Sequence, residues 1–280
     1  MTTRNEFLQL IGASAFIGSV IGCRAFGVCA KPRYALQLYS IHKIFWKNPE
    51  DNLAALKAGG YDGVEFAGYN GKPARELRKL LADSGLVGAG THVNGDISLV
   101  GDELKRTLDF CAEAGIESVV TPHAKRDSED AYRKFGYEMG LAAEFAVKYG
   151  IKVGIHTAHH HFKTRYNGVS AWDVICSEAS PLLQQQIDTG NAFHTGEDVV
   201  ALLKKYRNRH HSVHAKENDP TIDGVFGIPP KNGGKCVPWD DVLSYMKTET
   251  SHKWWIVEAE GIPDSLEPAF KCVKFLKDRV

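Results

Sequence analysis

From Tyr34 to the C-terminus, short apolar runs alternate with longer stretches whose apolar residues recur at i, i+3 and i+4. The short runs are YALQLYS (34–40), GVEF (63–66), GAGTH (88–92), SVVTPH (118–123), KVGIH (152–156), LQQQID (183–188), HSVHAK (211–216) and WWIVEAE (254–260). Each has the length and residue types of a strand. The stretches between them predict helices. PEDNLAALKAGG opens at Pro49, PARELRKLLADSG closes on Gly85, GDELKRTLDFCAEAG on Gly115 and SEDAYRKFGYEMGLAAEFAVKYG on Gly150. Acidic residues at the start and glycine at the end are helix boundary signals. VVALLKKY, DDVLSYMK and LEPAFKCVKFLKD show the same helical spacing of apolar residues.

Strand and helix in strict alternation mean parallel strands joined by helical crossovers. Eight such units in about 250 residues predict an α/β fold of the (β/α)₈ TIM barrel type over residues 33–280. The competing doubly wound sheet announces itself by a glycine-rich phosphate loop after its first strand. Here the first strand runs into YSIHKIFWKN, which has no glycine. No repeat or linker marks a second folded domain.

The first thirty residues break the pattern. Arg4 precedes a weakly apolar, glycine- and alanine-rich run from Phe7 to Ile21, with no acidic residue after Glu6. This layout predicts an export signal over residues 1–30, and a periplasmic or cell-envelope location. TRNEFLQLIGASA resembles a twin-arginine signal in which Asn5 replaces the second arginine, and VIGC resembles a lipoprotein cleavage box that would place a lipid anchor on Cys23. The alternative is an amphipathic or buried N-terminal helix. The run is too short and too rich in glycine to predict a membrane span.

Composition narrows the partners. At 43% hydrophobic and 24% charged residues the chain has material for a large core. Lys plus Arg equals Asp plus Glu at 34 each, so there is no electrostatic case for nucleic acid or an anionic membrane. Any membrane contact falls to the Cys23 anchor. Six cysteines occur, four of them (Cys111, Cys176, Cys236 and Cys272) within the barrel region and none in CxxC spacing. That excludes a zinc knuckle and a dense disulfide framework, and leaves one disulfide among the four open.

A barrel must carry its chemistry at the carboxyl ends of its strands. Glu65, His92, His123, His156, Asp188, His214 and Glu258 all fall there. Singly, each is an ordinary polar residue near a loop. As a set they converge on one mouth. Glu65, Asp188 and Glu258 each follow apolar neighbours, where a charge is costly unless paired or metal-bound. IHTAHHHF (155–162) adds His159, His160 and His161 to His156, and imidazole is both a common metal ligand and a proton carrier.

GYDGVEFAGYNG, THV, PH, the histidine-rich end of the fifth strand, IDTGNAFHTGED, SVHAKE and WIVEAE together resemble the sugar phosphate isomerase/epimerase family, the xylose isomerase-like barrels. The similarity covers nearly all of residues 34–278. It implies one divalent metal held by Glu, Asp, His and Glu at the ends of strands five to eight. Asp188, His214 and Glu258 match the last three positions. The first falls on His156, a departure from the family pattern. Two imidazoles with two carboxylates suit Mn, Co, Fe or Zn better than Mg.

The resemblance implies a proton transfer next to the carbonyl of a sugar or keto-sugar through an enediolate, hence an isomerase or epimerase with a small carbohydrate as its partner. With His156 as ligand, Glu258 is the remaining candidate base, and His92, His123, His159 and Lys216 are candidates for the second proton carrier. Glu65, His123, Asn191 and Trp239 are candidate substrate contacts. Because one expected carboxylate is replaced, a lyase that eliminates the aglycone of a 3-keto-glycoside stays open beside the isomerase. An apurinic endonuclease-like role is disfavoured: Asp188 is followed by Asn191 where those relatives carry histidine. A barrel that only binds sugar, through aromatics such as Tyr39, Phe66, Tyr69, Phe193, Trp239 and Trp254, has no need of Asp188, His214 and Glu258 together. GVFGIPPKNGGKCVPWDD (224–241) reads as a mobile loop over the mouth, with Lys231 and Lys235 in reach of substrate. Asp188→Ala and His214→Ala are expected to lose metal and activity, and His161→Ala to change little. Oligomeric state is not legible.

Overall fold

A computed structural model describes residues 33–94, 99–218, 225–228, 234–249, 251–259 and 263–280. The export signal, Cys23 and Lys231 lie outside them. Eight parallel strands form one sheet: β1 (Arg33–Gln37), β2 (Gly63–Ala67), β3 (Val87–His92), β4 (Ser118–Thr121), β5 (Lys152–His156), β6 (Gln184–Gln186), β7 (Ser212–Ala215) and β8 (Trp254–Val257). Each overlaps a predicted run, with β1, β2 and β3 each reaching one residue beyond it. Their order is β6-β5-β4-β3-β2-β1-β8-β7. The two ends of the sheet meet through a parallel bridge between Asp188 and His214, where the His214 N–H donates to the Ile187 carbonyl at 2.9 Å. The ring is thereby closed into a (β/α)₈ barrel.

Helices α1 (Pro49–Ala58), α2 (Ala74–Ser84), α3 (Gly101–Ala114) and α4 (Glu129–Ala146) follow the first four strands. Gly85 and Gly115 end α2 and α3 in the left-handed conformation. Apolar residues on the outer faces of the strands, such as Val64, Phe66, Trp255 and Val257, pack with the helices in one continuous buried core. Among the described residues no helix is long and apolar enough to cross a membrane.

Inside the barrel a small cluster of Ala35, Ala89, Trp254 and Ile256 fills the end away from the carboxyl termini. Trp254 fits because β2 begins with glycine: a Cβ on Gly63 would lie 2.9 Å from the Trp254 ring. The indole N–H donates to Glu117 at 2.9 Å and the Arg33 guanidinium covers the ring. Trp254 is therefore a barrel plug and offers no surface for sugar.

The histidine-rich run forms a short helix, α5 (His159–Lys163). It starts where the Ala158 N–H donates to Nδ1 of His161, at 3.0 Å. A two-residue antiparallel hairpin (Arg165–Tyr166 with Val169–Ser170) and α6 (Ala171–Glu178) complete this crossover. Cys111, Cys176, Cys236 and Cys272 all carry thiols, so the disulfide left open by the sequence is not formed among them.

Candidate metal centre

Asp188 follows β6 and caps the helix α7 (Thr189–His194): the Asn191 N–H donates to Oδ1 at 2.7 Å. A helix N-cap carboxylate is held by exactly this type of bond, and here it leaves Oδ2 pointing at the barrel axis, 3.2 Å from Nε2 of His156. His156 ends β5, and its Nδ1 lies 3.4 Å from the Pro122 carbonyl. With its proton on Nδ1, facing that carbonyl, His156 would offer its Nε2 lone pair to a cation shared with Asp188. Glu258, just after β8, places Oε2 2.6 Å from Nδ1 of His214 and 4.0 Å from Nε2 of His156. One donor atom from each of His156, Asp188, His214 and Glu258 lies within 4.8 Å of the others, and all four residues are buried. These are the four ligands expected from the sequence, drawn together from residues 156 to 258.

The charge balance suits a cation. Glu65, Asp188 and Glu258 are three buried carboxylates, and Lys216 is the buried lysine beside them. Its ammonium lies 3.0 Å from Oε1 of Glu258 and 4.0 Å from Oδ2 of Asp188. With neutral imidazoles this leaves two negative charges in excess, which a divalent ion offsets. Without an ion the protein must answer in its own groups. Burial works against a charged His214, yet Glu65 and Glu258 on its two sides outweigh it and raise it to about 10. His156 is driven the other way, down to about 4, by burial and by its neighbour His214. The donor set, its burial and its charge fit a divalent metal.

Beneath the centre lies a polar floor. Glu65, fully buried in β2, takes Nε2–H of Gln37 at 2.6 Å and of Gln186 at 2.7 Å, and its Oε2 lies 2.7 Å from Nε2 of His214. His92, at the end of β3, donates from Nε2 to Gln186 at 2.8 Å, with Glu65 3.1 Å away. Burial opposes ionisation of Glu65, but His92 and His214 hold its carboxyl well below the usual range. Glycine makes the space, since a Cβ on Gly90 would stand 2.8 Å from Oε1 of Glu65.

Other expected substrate contacts move as well. Glu65 is sealed under the centre and cannot reach substrate. Asn191 turns its amide to the Thr157 carbonyl at 2.9 Å and serves Asp188 through its main chain. Trp239 buries its ring against Phe226 and Phe275 and donates to Glu217 at 2.9 Å, so it offers no stacking face. Glu217 also accepts the N–H groups of Asn218, Gly227 and Val237, each at 2.8 Å. One buried carboxylate thus ties both described edges of the long loop read as mobile. Lys235 is exposed. His123 is exposed at the surface, and partial desolvation followed by the nearby His92 lowers its pKa. His159 is exposed, its ring 4.8 Å from that of His194. His161 is fully buried against Trp172.

Sequence reasoning passed over Gln37, Gln186, Ser212 and Glu217. A signal existed for two of them. Residues two apart on a strand share a face, so Gln186 lies on the same face as Asp188, and Ser212 on the same face as His214. Gln186 donates to Ser212 Oγ at 2.9 Å.

Known proteins agree with this architecture. Residues 53–279 match the family described as Xylose isomerase-like TIM barrel, and the chain belongs to that family. An inosose dehydratase from Bacillus cereus (strain AH820) is 31% identical over 144 residues, 45% of this chain and 48% of the relative, so the chain spans about half of that protein's length. The rhizopine catabolism protein MocC of Rhizobium meliloti is 22% identical over 255 residues, covering 78% of this chain and 77% of that one. Among solved structures, a sugar phosphate isomerase/epimerase from Parabacteroides distasonis ATCC 8503 superimposes with a TM-score of 0.73 at 18% identity, over 90% of this chain and 97% of that one. A D-allulose 3-epimerase from Methylomonas sp. does so with a TM-score of 0.64 at 14% identity, over 89% and 97%. At these identities the structural likeness speaks for the fold.

Proposed function

We propose that this protein is a divalent-metal-dependent enzyme that removes the proton next to the carbonyl of a non-phosphorylated keto-sugar. The observation that carries the reading is the meeting of His156, Asp188, His214 and Glu258, with the Lys216 ammonium 3.0 Å from Glu258. A bound Mn, Co, Fe or Zn ion would act as a Lewis acid on the carbonyl oxygen and an adjacent hydroxyl.

The chain's own groups divide the remaining work. Oε2 of Glu258 faces the ligand group while Oε1 faces Lys216. Glu258 is the base that takes the proton beside the carbonyl, and Lys216 is the acid hydrogen-bonded to it. In the outcome we put forward, the C–H bond breaks, its electron pair forms a carbon–carbon double bond, and the β-carbon–oxygen bond breaks. The leaving oxygen takes that bond's electron pair and a proton from Lys216. The dehydratase named among the relatives loses water in its reaction, which supports elimination here. So does His156, which stands where an epimerase of the expected pattern has a second carboxylate.

The isomerase/epimerase outcome is the second reading. It returns the proton from the other face, and His123, exposed and with its pKa lowered by partial desolvation, is the candidate carrier. His159, exposed beside His194, stands further out as an alternative. One experiment separates the outcomes. Purified protein is analysed for metal and incubated with keto-sugars and 3-keto-glycosides in D₂O. Loss of water or aglycone, with or without deuterium in the product, supports the lyase. Incorporation with unchanged mass otherwise supports the epimerase. Metal-loaded protein that neither incorporates deuterium nor releases water or aglycone across the panel would overturn both.

A further inference from the structure

We infer that Glu65 is a positioning residue for the metal centre: it holds the proton of His214 on Nε2 and so presents Nδ1 to the cation. The inference rests on the metal-dependent reading above and deepens it.

The geometry is specific. His214 is fully buried and lies between two carboxylates, Oε2 of Glu258 at 2.6 Å from Nδ1 and Oε2 of Glu65 at 2.7 Å from Nε2. A neutral imidazole has one N–H and one lone pair. The metal ligands His156, Asp188 and Glu258 lie on the Nδ1 side. The lone pair is wanted there, and the proton belongs on Nε2, where Glu65 accepts it. A ligating histidine commonly donates its other N–H to a carboxylate in this way, which fixes both tautomer and ring orientation.

Glu65 cannot itself serve a second cation with His92 and His214, although the three approach one another. Its Oε1 accepts from the Gln186 amide and its Oε2 from the Gln37 amide. Amide N–H groups point their positive ends at the oxygens a cation would need. The same two bonds explain why Glu65 is rigid. Gln37 is its cross-strand neighbour in the β1–β2 register, and its own oxygen accepts the Tyr39 N–H at 3.1 Å. Gln186 is held in turn by Ser212 and His92. Five strands thus fix one carboxylate, and that carboxylate fixes one ligand.

The test uses Zn²⁺ as probe. In wild-type protein labelled with ¹⁵N-histidine and loaded with Zn²⁺, His214 should show a protonated Nε2 and a metal-bound Nδ1. In Glu65→Gln, which keeps the size of the side chain, chelator competition should show Zn²⁺ affinity lowered about 10- to 100-fold, with circular dichroism unchanged. A merely structural Glu65 would lower thermal stability and leave the affinity of the folded protein alone. Wild-type affinity in Glu65→Gln, or a proton on Nδ1 of His214 in the Zn²⁺-loaded wild type, overturns the inference. The wild-type spectrum decides the matter even if the variant does not fold. Failure of wild-type protein to bind Zn²⁺, Mn²⁺ or Co²⁺ would instead sink the metal-dependent reading itself.

Discussion

The Lys216 ammonium lies 3.0 Å from Oε1 of Glu258, and both side chains are more than nine-tenths buried. Sequence separates them by forty-two residues; the strands β7 and β8 place them side by side. Thr189 pins the lysine's backbone, accepting the Lys216 N–H at 3.0 Å and donating to the Lys216 carbonyl at 2.8 Å. In the proposed reaction these two are the acid and the base, and the fold holds them at fixed separation. Lys216→Met keeps most of the stem and removes the charge. We expect turnover to fall about 10²- to 10⁴-fold while metal content stays near that of the wild type. A parallel loss of metal would show that Lys216 acts on the ligands instead.

Asp188 and His214 belong both to the proposed ligand set and to the bridge that closes the barrel. The bridge is made by main-chain atoms, so Asp188→Ala and His214→Ala should keep the closed sheet and lose the metal. Elemental analysis is expected to show metal well below one ion per chain for each variant, with turnover abolished. Asp188→Ala also loses its helix cap, at a cost of about 1 kcal/mol, which thermal unfolding would register separately.

His161 is expected to matter little to metal and activity, and its position adds an effect on stability. The ring is fully buried, accepts the Ala158 N–H and packs on Trp172. His161→Ala leaves a cavity and an unpaired N–H, at about 2–4 kcal/mol. Denaturant unfolding should show that loss, while Zn²⁺ affinity measured on the folded variant stays near wild type. His159→Ala, in an exposed position, should leave stability unchanged.

Acid should weaken the fold through histidines remote from the metal centre. Burial holds His211 down at about 4, against a partly opposing Glu117, and His252 down at about 3. Unfolded, each takes up a proton near pH 6.5. Their folded values are depressed, so the stability they contribute is complete above about pH 6.5 and is lost as pH falls toward 4 and then 3. The slope is at most about 1.4 kcal/mol per pH unit for each histidine. The midpoint of thermal unfolding should fall between pH 6.5 and 4.5, less steeply in His252→Asn. An unchanged slope in that variant would remove His252 from the account.

Most of the strands were legible because they are short apolar runs bounded by turn residues, which local pattern alone marks; β6, Gln184–Gln186, was found only through its apolar flanks Leu183 and Ile187. The short helix at His159–Lys163 was not legible, because four polar residues and a single Phe162 carry no apolar period and it starts on a bond from one backbone N–H to one imidazole. Trp239 illustrates the opposite failure. An aromatic beside a glycine-rich loop looks available to a sugar, yet only the packing of Phe226 and Phe275 and the reach of Glu217 show that its faces are used.

The order of the elements and the barrel they build were legible in the sequence, and so was the convergence of His156, Asp188, His214 and Glu258, since strand ends in a parallel barrel must face one mouth. The tertiary structure decided which polar residues touch that centre and which support it. Glu65 and His92 occupy strand positions of the same kind as His156, yet the glycine at 90 and the amides of Gln37 and Gln186 draw Glu65 into the floor. Such assignments depend on cross-strand register and on the space left by neighbours. Both arise from contacts between residues far apart in the chain, where local pattern has nothing to say.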